Sequence, residues 1–191
     1  NGFQRTFNEA DREDFNWNMG GRLYAVGDES YQLMKKPQRL KMRINDLRVA
    51  EIDINASYLS ILASRLNYPL PNNEDLYSAV GLPREVVKAW ITSTLGNDGF
   101  LSRWPAEANA RLKEKGIDTS KGMTMKEVQR RVCEVFPFIE AWDSCGIRWS
   151  NLMFQESEQI ITAMEILRDD YDIPSYPVHD SLIVPSKHIK V

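Results

Sequence analysis

Cysteine and histidine are scarce in this chain of 191 residues, with two of each. Cys133 and Cys145 do not form a CxxC arrangement, which excludes a disulfide scaffold or a zinc ribbon and leads us to expect reduced thiols. His179 and His188 are too few for a histidine-based metal phosphohydrolase site. No G-x-S-x-G elbow is present for a nucleophilic triad. No apolar run approaches the ~20 residues that span a bilayer, and Asn1-Gly2-Phe3-Gln4-Arg5 lacks the hydrophobic core of a signal peptide. A soluble, cytoplasmic protein with no membrane partner is therefore expected. Repeats, low-complexity tracts and Pro/Ser linkers are absent as well. What is present is a foldable composition: 42% apolar and 27% charged residues allow a core and exclude disorder. The net charge is only −3, and the length suits one domain or one domain with an inserted lobe.

Residues 1–18 are polar and acidic, with Glu9, Asp11, Glu13 and Asp14, and read as an arm or a helix. Gly20-Gly21 then punctuates the chain. Positive charge is concentrated between Lys35 and Arg48, where Lys36, Arg39, Lys41 and Arg43 also fall. Within it, residues 39–44 alternate with period two, which predicts a strand with Arg39, Lys41 and Arg43 on one face. A turn at Asn45-Asp46 leads to a second strand over 49–54, completing a hairpin. Leu59, Leu62 and Leu66 predict a helix over 56–66, ended by Pro69 and Pro71. Pro83 precedes a helix with an apolar side of Val86, Val87, Trp90, Ile91 and Leu95, stopped by Gly96. Two more helices are predicted over 106–115 and 125–135, the second opened by a Thr124/Glu127 capping box. A last helix over 157–168 precedes short strands at 175–179 and 182–184, around His179-Asp180-Ser181.

Asp53 stands at the C-terminal end of the predicted second strand, and Asp180 at a hairpin tip. Should the two hairpins join in one antiparallel sheet, both carboxylates reach the same edge. Two such charges ~4 Å apart repel by roughly 4 kcal/mol at an effective dielectric of 20, which asks for a divalent cation. Paired aspartates holding Mg²⁺ suit phosphoryl-transfer chemistry; the bland alternative for Asp180 is a turn residue capping its own backbone. Arg84 and Lys88 are four residues apart, hence on one helix face near its positive end. Such a pair suits a triphosphate, or else forms a solvated face with Glu85 as partner.

Several segments in order resemble family A DNA polymerases. Gly21-Arg22-Leu23 followed by Tyr31-Gln32-Leu33-Met34-Lys35-Lys36-Pro37 resembles their G-R-L-S…L-Q-N-I-P segment. Glu51-Ile52-Asp53-Ile54-Asn55 is similar to motif A, Asp75-Leu76-Tyr77 to the D-I-H that follows, and Arg84-x-x-x-Lys88 to motif B. Val178-His179-Asp180-Ser181 resembles motif C, in the V-H-D-S form of single-subunit RNA polymerases. The set also resembles prophage proteins with a G-G-R-x-Y…E-L-D-Y-S…V-H-D-S pattern. The sequence departs from motif B at Thr92, where the family has an aromatic, and at Leu95-Gly96, which replaces Tyr-Gly with a one-residue shift.

The resemblance implies an α+β fold: an antiparallel palm sheet with inserted helical fingers, the thumb absent or missing from this fragment. The expected division is an arm at 1–19, palm at 20–55, fingers at 56–155 and palm again at 156–191. It implies a template-directed nucleotidyltransferase working with Mg²⁺ or Mn²⁺ on a primer-template and nucleoside triphosphates. Asp53 and Asp180 would be the metal ligands, with Lys88 also catalytic. Arg84, Lys88 and Tyr58 would bind the nucleotide, Tyr58 standing where the family has a glutamate that excludes a ribose 2′-OH. Arg22 and His179 would contact nucleic acid; the basic stretch adds Arg39, Lys41 and Arg43. Packing in the core is the other reading of Tyr58. Rival functions are a metal-dependent phosphodiesterase and a degenerate palm that binds nucleic acid without catalysis. The start at Asn1 and the end at Val191, just behind motif C, lead us to expect a piece of a longer protein.

Overall fold

A computed structural model describes residues 2–27, 30–72 and 75–189. The fold is α+β, with six α-helices and two small antiparallel sheets among the described residues. The chain divides into two compact units, residues 1–57 with 150–191, and residues 58–149.

The first unit holds both sheets. Strands β1 (Phe3–Phe7) and β2 (Gly20–Ala25) form a two-stranded ribbon. No helix forms over residues 2–18, where an arm or a helix was expected; Phe3–Phe7 pair with β2 instead. Most of β1 is exposed, so no one-sided burial imprinted a period on its sequence. The second sheet contains β3 (Arg43–Ile44), β4 (Leu47–Asp53), β5 (Tyr176–Val178) and β6 (Ser181–Pro185), in the order β3-β4-β6-β5. The β3–β4 turn is Asn45-Asp46, both at positive φ (49° and 61°), the conformation in which a two-residue hairpin matches strand twist.

Helix α1 (Lys36–Arg39) corrects the strand expected over 39–44. Pro37 lies in its first turn, where a fixed φ favours helix and a missing N–H costs nothing, and this turn takes Arg39 out of extended conformation. Only Arg43 and Ile44 remain in a strand, and the expected face of three cations does not form. Helix α6 (Trp149–Asp169) starts earlier than expected, because Ser150, Glu156 and Ser157 are buried and break the apolar pattern of its inner face.

The four-stranded sheet is covered on both faces. Leu182 and Val184 pack with Ile160, Met164 and Leu167 of α6. On the other face Val49, Val178 and Ile183 pack with Tyr31 and Met42. Gln32 ties the two sheets together: its Nε2 donates to Leu23 O (3.0 Å) and Pro177 O (2.9 Å), while its Oε1 accepts from Ala25 N. Tyr31 adds a 2.6 Å hydrogen bond to the same Pro177 carbonyl, and burial pushes its phenol pKa well up.

The second unit is helical: α2 (Ser57–Arg65, beginning at the last residue of the first unit), α3 (Arg84–Leu95), α4 (Ala106–Glu114) and α5 (Met125–Val135). Val86, Val87, Trp90, Ile91 and Leu95 of α3 are fully buried, as their spacing predicts, each worth roughly 1.5–3 kcal/mol of apolar transfer. The Trp90 indole donates to Met125 O at 3.0 Å, so the large ring leaves no polar atom unpaired. Thr124 and Glu127 form the expected capping box at the start of α5. No helix among the described residues is long and apolar enough to cross a membrane.

Candidate functional site

Strand register brings the two motif aspartates together. Asp53, the last residue of β4, pairs with Ser181, the first of β6, and the Ile54 amide donates to Asp180 O at 3.0 Å. Asp53 and Asp180 therefore share one end of the sheet. Asp180 belongs to the two-residue turn between β5 and β6, with His179 before it at φ +53°, a left-handed conformation uncommon for a non-glycine residue.

Glu51 and Asp53, two apart on β4, face the same side, toward α1. Arg39 grips both oxygens of Glu51, with Nε at 2.9 Å and Nη2 at 2.8 Å. This bidentate geometry is the strong form of a charge-assisted bond. It holds the Glu51 carboxyl below its usual range despite burial. One turn earlier, Lys36 Nζ lies 2.8 Å from Asp53 Oδ2 and 3.6 Å from Glu51 Oε1. The bond to Asp53 raises the Lys36 pKa. Arg39 is thus committed to Glu51 and is only 12% exposed, so it is not presented to nucleic acid as the basic-strand reading required. Lys41 and Arg43 are exposed, and Arg43 also donates to Asp46 O.

Arg22 lies on β2 beside α6, where its Nε and Nη2 both donate to Glu156 Oε2. Glu156 is only 2% exposed, and burial pushes its carboxyl pKa up; Arg22 and Ser57 pull it down, and Asp180 adds repulsion. The Ser57 hydroxyl is buried without a hydrogen bond of normal geometry, although it stands close enough to Glu156 to favour the charged carboxylate. Desolvation lowers the His179 pKa, and Arg22 lowers it further. Its ring sits edge-on to Tyr24, 6.2 Å between centroids.

Lys36, Glu51 and Glu156 did not emerge as site residues from the sequence. A signal existed for Glu156: Leu152, Glu156 and Ile160 are four apart, which puts an acid on a buried helical stripe. For Lys36 and Glu51 the only signal was their spacing from Arg39 and Asp53.

The other expected residues lie in the helical unit. Arg84, at the start of α3, has its Nε 2.6 Å from Asp75 Oδ2 and its guanidinium over the Tyr77 ring. Glu85 pairs with Lys115 at 2.6 Å and stands 3.6 Å from Arg84. Lys88 is exposed and lines an open groove of about 390 Å³ between α3 and α4, shared with Arg111 and Lys115. Tyr58 is half-buried in the first turn of α2.

Among the described residues, no three His, Cys, Asp or Glu side chains form a group able to hold a metal. Asp53 and Asp180 are carboxylates, the donor type of Mg²⁺, which binds through one or two of them and takes its remaining oxygens from water and phosphate. Asp53 is half exposed, with Lys36 bonded to its Oδ2 and Arg39 acting on it electrostatically. No protein-family model matches the chain, nor does any curated protein or solved structure.

Proposed function

We propose that the protein is a metal-dependent nucleotidyltransferase of the family A polymerase type, adding nucleotides to a nucleic-acid 3′ end. The observation that supports it most is the register of β4 against β6, with Asp53 opposite Ser181 and Asp180 next in line. In this reading the four-stranded sheet is the palm, and the helical unit carries the fingers. Divalent metal bound there would activate the attacking 3′-oxygen and neutralise charge on the leaving pyrophosphate. The chain's own residues hold the donors. The β4–β6 ladder holds Asp53, the Ile54 amide holds the Asp180 carbonyl in the adjoining turn, and the Arg39–Glu51 pair anchors α1 beside Asp53. His179 stands next to Asp180 in the β5–β6 turn, and its assignment to the primer end rests on the resemblance. Of the cations expected to contact nucleic acid, Lys41 and Arg43 are exposed and offer charge to its backbone. Assignment of Arg84, Lys88 and Tyr58 to the incoming nucleotide rests on the resemblance alone.

One observation favours a second reading, a palm that binds nucleic acid without turnover: Asp53 already has a protein cation as its partner. Primer extension with Mg²⁺ or Mn²⁺ on a labelled primer-template separates the readings. Extension supports the transferase, cleavage without nucleotides the phosphodiesterase, and retardation without product the binding module. Asp53→Asn and Asp180→Asn should each abolish extension while preserving the fold, because a carboxamide is a poor hard-cation ligand. Activity retained in both variants refutes the proposal.

A further inference from the structure

The salt bridge at Asp53 follows from two matching spacings. Residues three apart on a helical turn share a face, and residues two apart on a strand share a face. Lys36 and Arg39 of α1 therefore meet Asp53 and Glu51 of β4, cation for acid. The two pairs differ in accessibility. Arg39 and Glu51 are nearly sealed, with side chains 12% and 3% exposed, and Arg39 Nη1 also donates to Met34 O at 2.5 Å. Lys36 and Asp53 are 45% and 52% exposed. The inner pair is bidentate and fixes where α1 sits; the outer pair is a single contact in water, of the kind that opens readily. A lysine in this position suits exchange, because its ammonium is a compact charge on a flexible stem.

We infer that Lys36 is a built-in placeholder for the divalent cation at Asp53. Its ammonium, 2.8 Å from Asp53 and 3.6 Å from Glu51, balances the carboxylate while the metal is away, and it leaves when the metal arrives. Metal and ammonium compete for the same Asp53 oxygen, so the protein binds metal more weakly than its carboxylates alone would allow. The Arg39–Glu51 pair stays closed throughout and keeps α1 in place. The inference rests on the reading of Asp53 and Asp180 as metal donors.

Mn²⁺ titration of the whole chain, followed by the electron paramagnetic resonance signal of the free ion, tests both. Lys36→Met should tighten Mn²⁺ binding about tenfold, or 1.4 kcal/mol. Lys36→Arg, which restores the cation, should bring affinity back to near the wild-type value. Adding Asp53→Asn to Lys36→Met should remove the gain. Thermal melts confirm that each variant is folded, as expected for a half-exposed lysine. An unchanged or weaker affinity in folded Lys36→Met overturns the placeholder; if Asp53→Asn alone still loses Mn²⁺, the metal reading survives that result. Binding that persists in both aspartate variants, or no binding in either wild type or Lys36→Met, overturns the metal reading and the placeholder with it.

Discussion

Replacing Arg22 by methionine asks whether the cation serves the fold or a bound nucleic acid. Its guanidinium makes two hydrogen bonds to one oxygen of Glu156, whose side chain is 2% exposed against 19% for Arg22. Removing one partner of a buried pair leaves an uncompensated charge, at a cost of about 3–5 kcal/mol. Because Arg22 retains some contact with water, the lower end applies, and we expect Arg22→Met to lose about 3 kcal/mol near pH 8. The loss should depend on pH in a defined direction. Burial already places the folded-state pKa of Glu156 above its usual value of 4.5. A raised carboxyl favours the folded state fully below the unfolded pKa, and that contribution is lost as pH rises through the folded value. Without Arg22 the folded value climbs further, so the deficit relative to wild type should be greatest at pH 8 and smallest near pH 5. Asp180 faces the same carboxylate and pushes in the same direction, whereas Ser57 opposes it. Urea unfolding followed by circular dichroism at both pH values measures the difference, provided the slope m is unchanged. Arg22→Met/Glu156→Met should recover most of the loss, since no buried charge remains. A deficit below about 1 kcal/mol at pH 8, no pH dependence, or a double variant no better than the single would refute the argument.

Gly20→Ala should destabilise the ribbon by about 1–3 kcal/mol, read by thermal melting, because the residue adopts a left-handed φ of +82° and an added Cβ would lie 2.2 Å from Asn8 Oδ1. Iodoacetamide at pH 8 should label Cys145 before Cys133 in peptide mapping, since burial pushes the Cys133 thiol up to about 11. Asp75→Asn should release Arg84 from its 2.6 Å ion pair while keeping an oxygen to accept from Tyr77 N. If Arg84 binds the triphosphate, the nucleotide KM falls in Asp75→Asn and rises in Arg84→Ala; two unchanged values assign the pair to the helical unit's structure alone. Tyr58→Val should admit ribonucleotides while deoxynucleotide extension stays within about tenfold, roughly 1.4 kcal/mol; an unchanged ribo-to-deoxy ratio of kcat/KM in a folded variant assigns Tyr58 to packing.

Legibility in the sequence followed one-sided burial. Helix α3 was readable because Val86, Val87, Trp90, Ile91 and Leu95 are buried on one side of a helix that is exposed on the other. The β3–β4 hairpin was readable because Asn45 and Asp46 tolerate the positive φ that its turn demands. Strand β1 was hidden by its exposure, and the first turns of α6 by buried Ser150 and Glu156, which look like surface residues in a sequence. The basic stretch misled for a different reason: period two in residues 39–44 is a weak signal over so short a run, and Pro37 started a helical turn before it.

The candidate site divides along the same physical line. Its two aspartates were legible because each stands in a short motif at a strand end or hairpin tip, and strand pairing then fixes where Asp53 goes. The ion pairs around them, with Glu51 and Glu156, were not, because an ion pair carries no period: Lys36 reaches Asp53 across 17 residues, and Arg22 reaches Glu156 across 134. The cations expected to touch nucleic acid or nucleotide consequently include several already engaged by carboxylates, namely Arg22, Arg39 and Arg84. Their commitments are unequal. Arg39 is 12% exposed and bidentate and Arg22 is 19% exposed on a buried acid, whereas Arg84 and its partner Asp75 are 43% and 31% exposed. Exposed pairs are worth little, so a phosphate can displace Asp75 from Arg84 far more readily than it can displace Glu51 from Arg39. Of these three arginines, Arg84 is therefore the one whose ion pair leaves it free to serve a ligand, and Arg22 and Arg39 hold the sheet unit in shape around the aspartates.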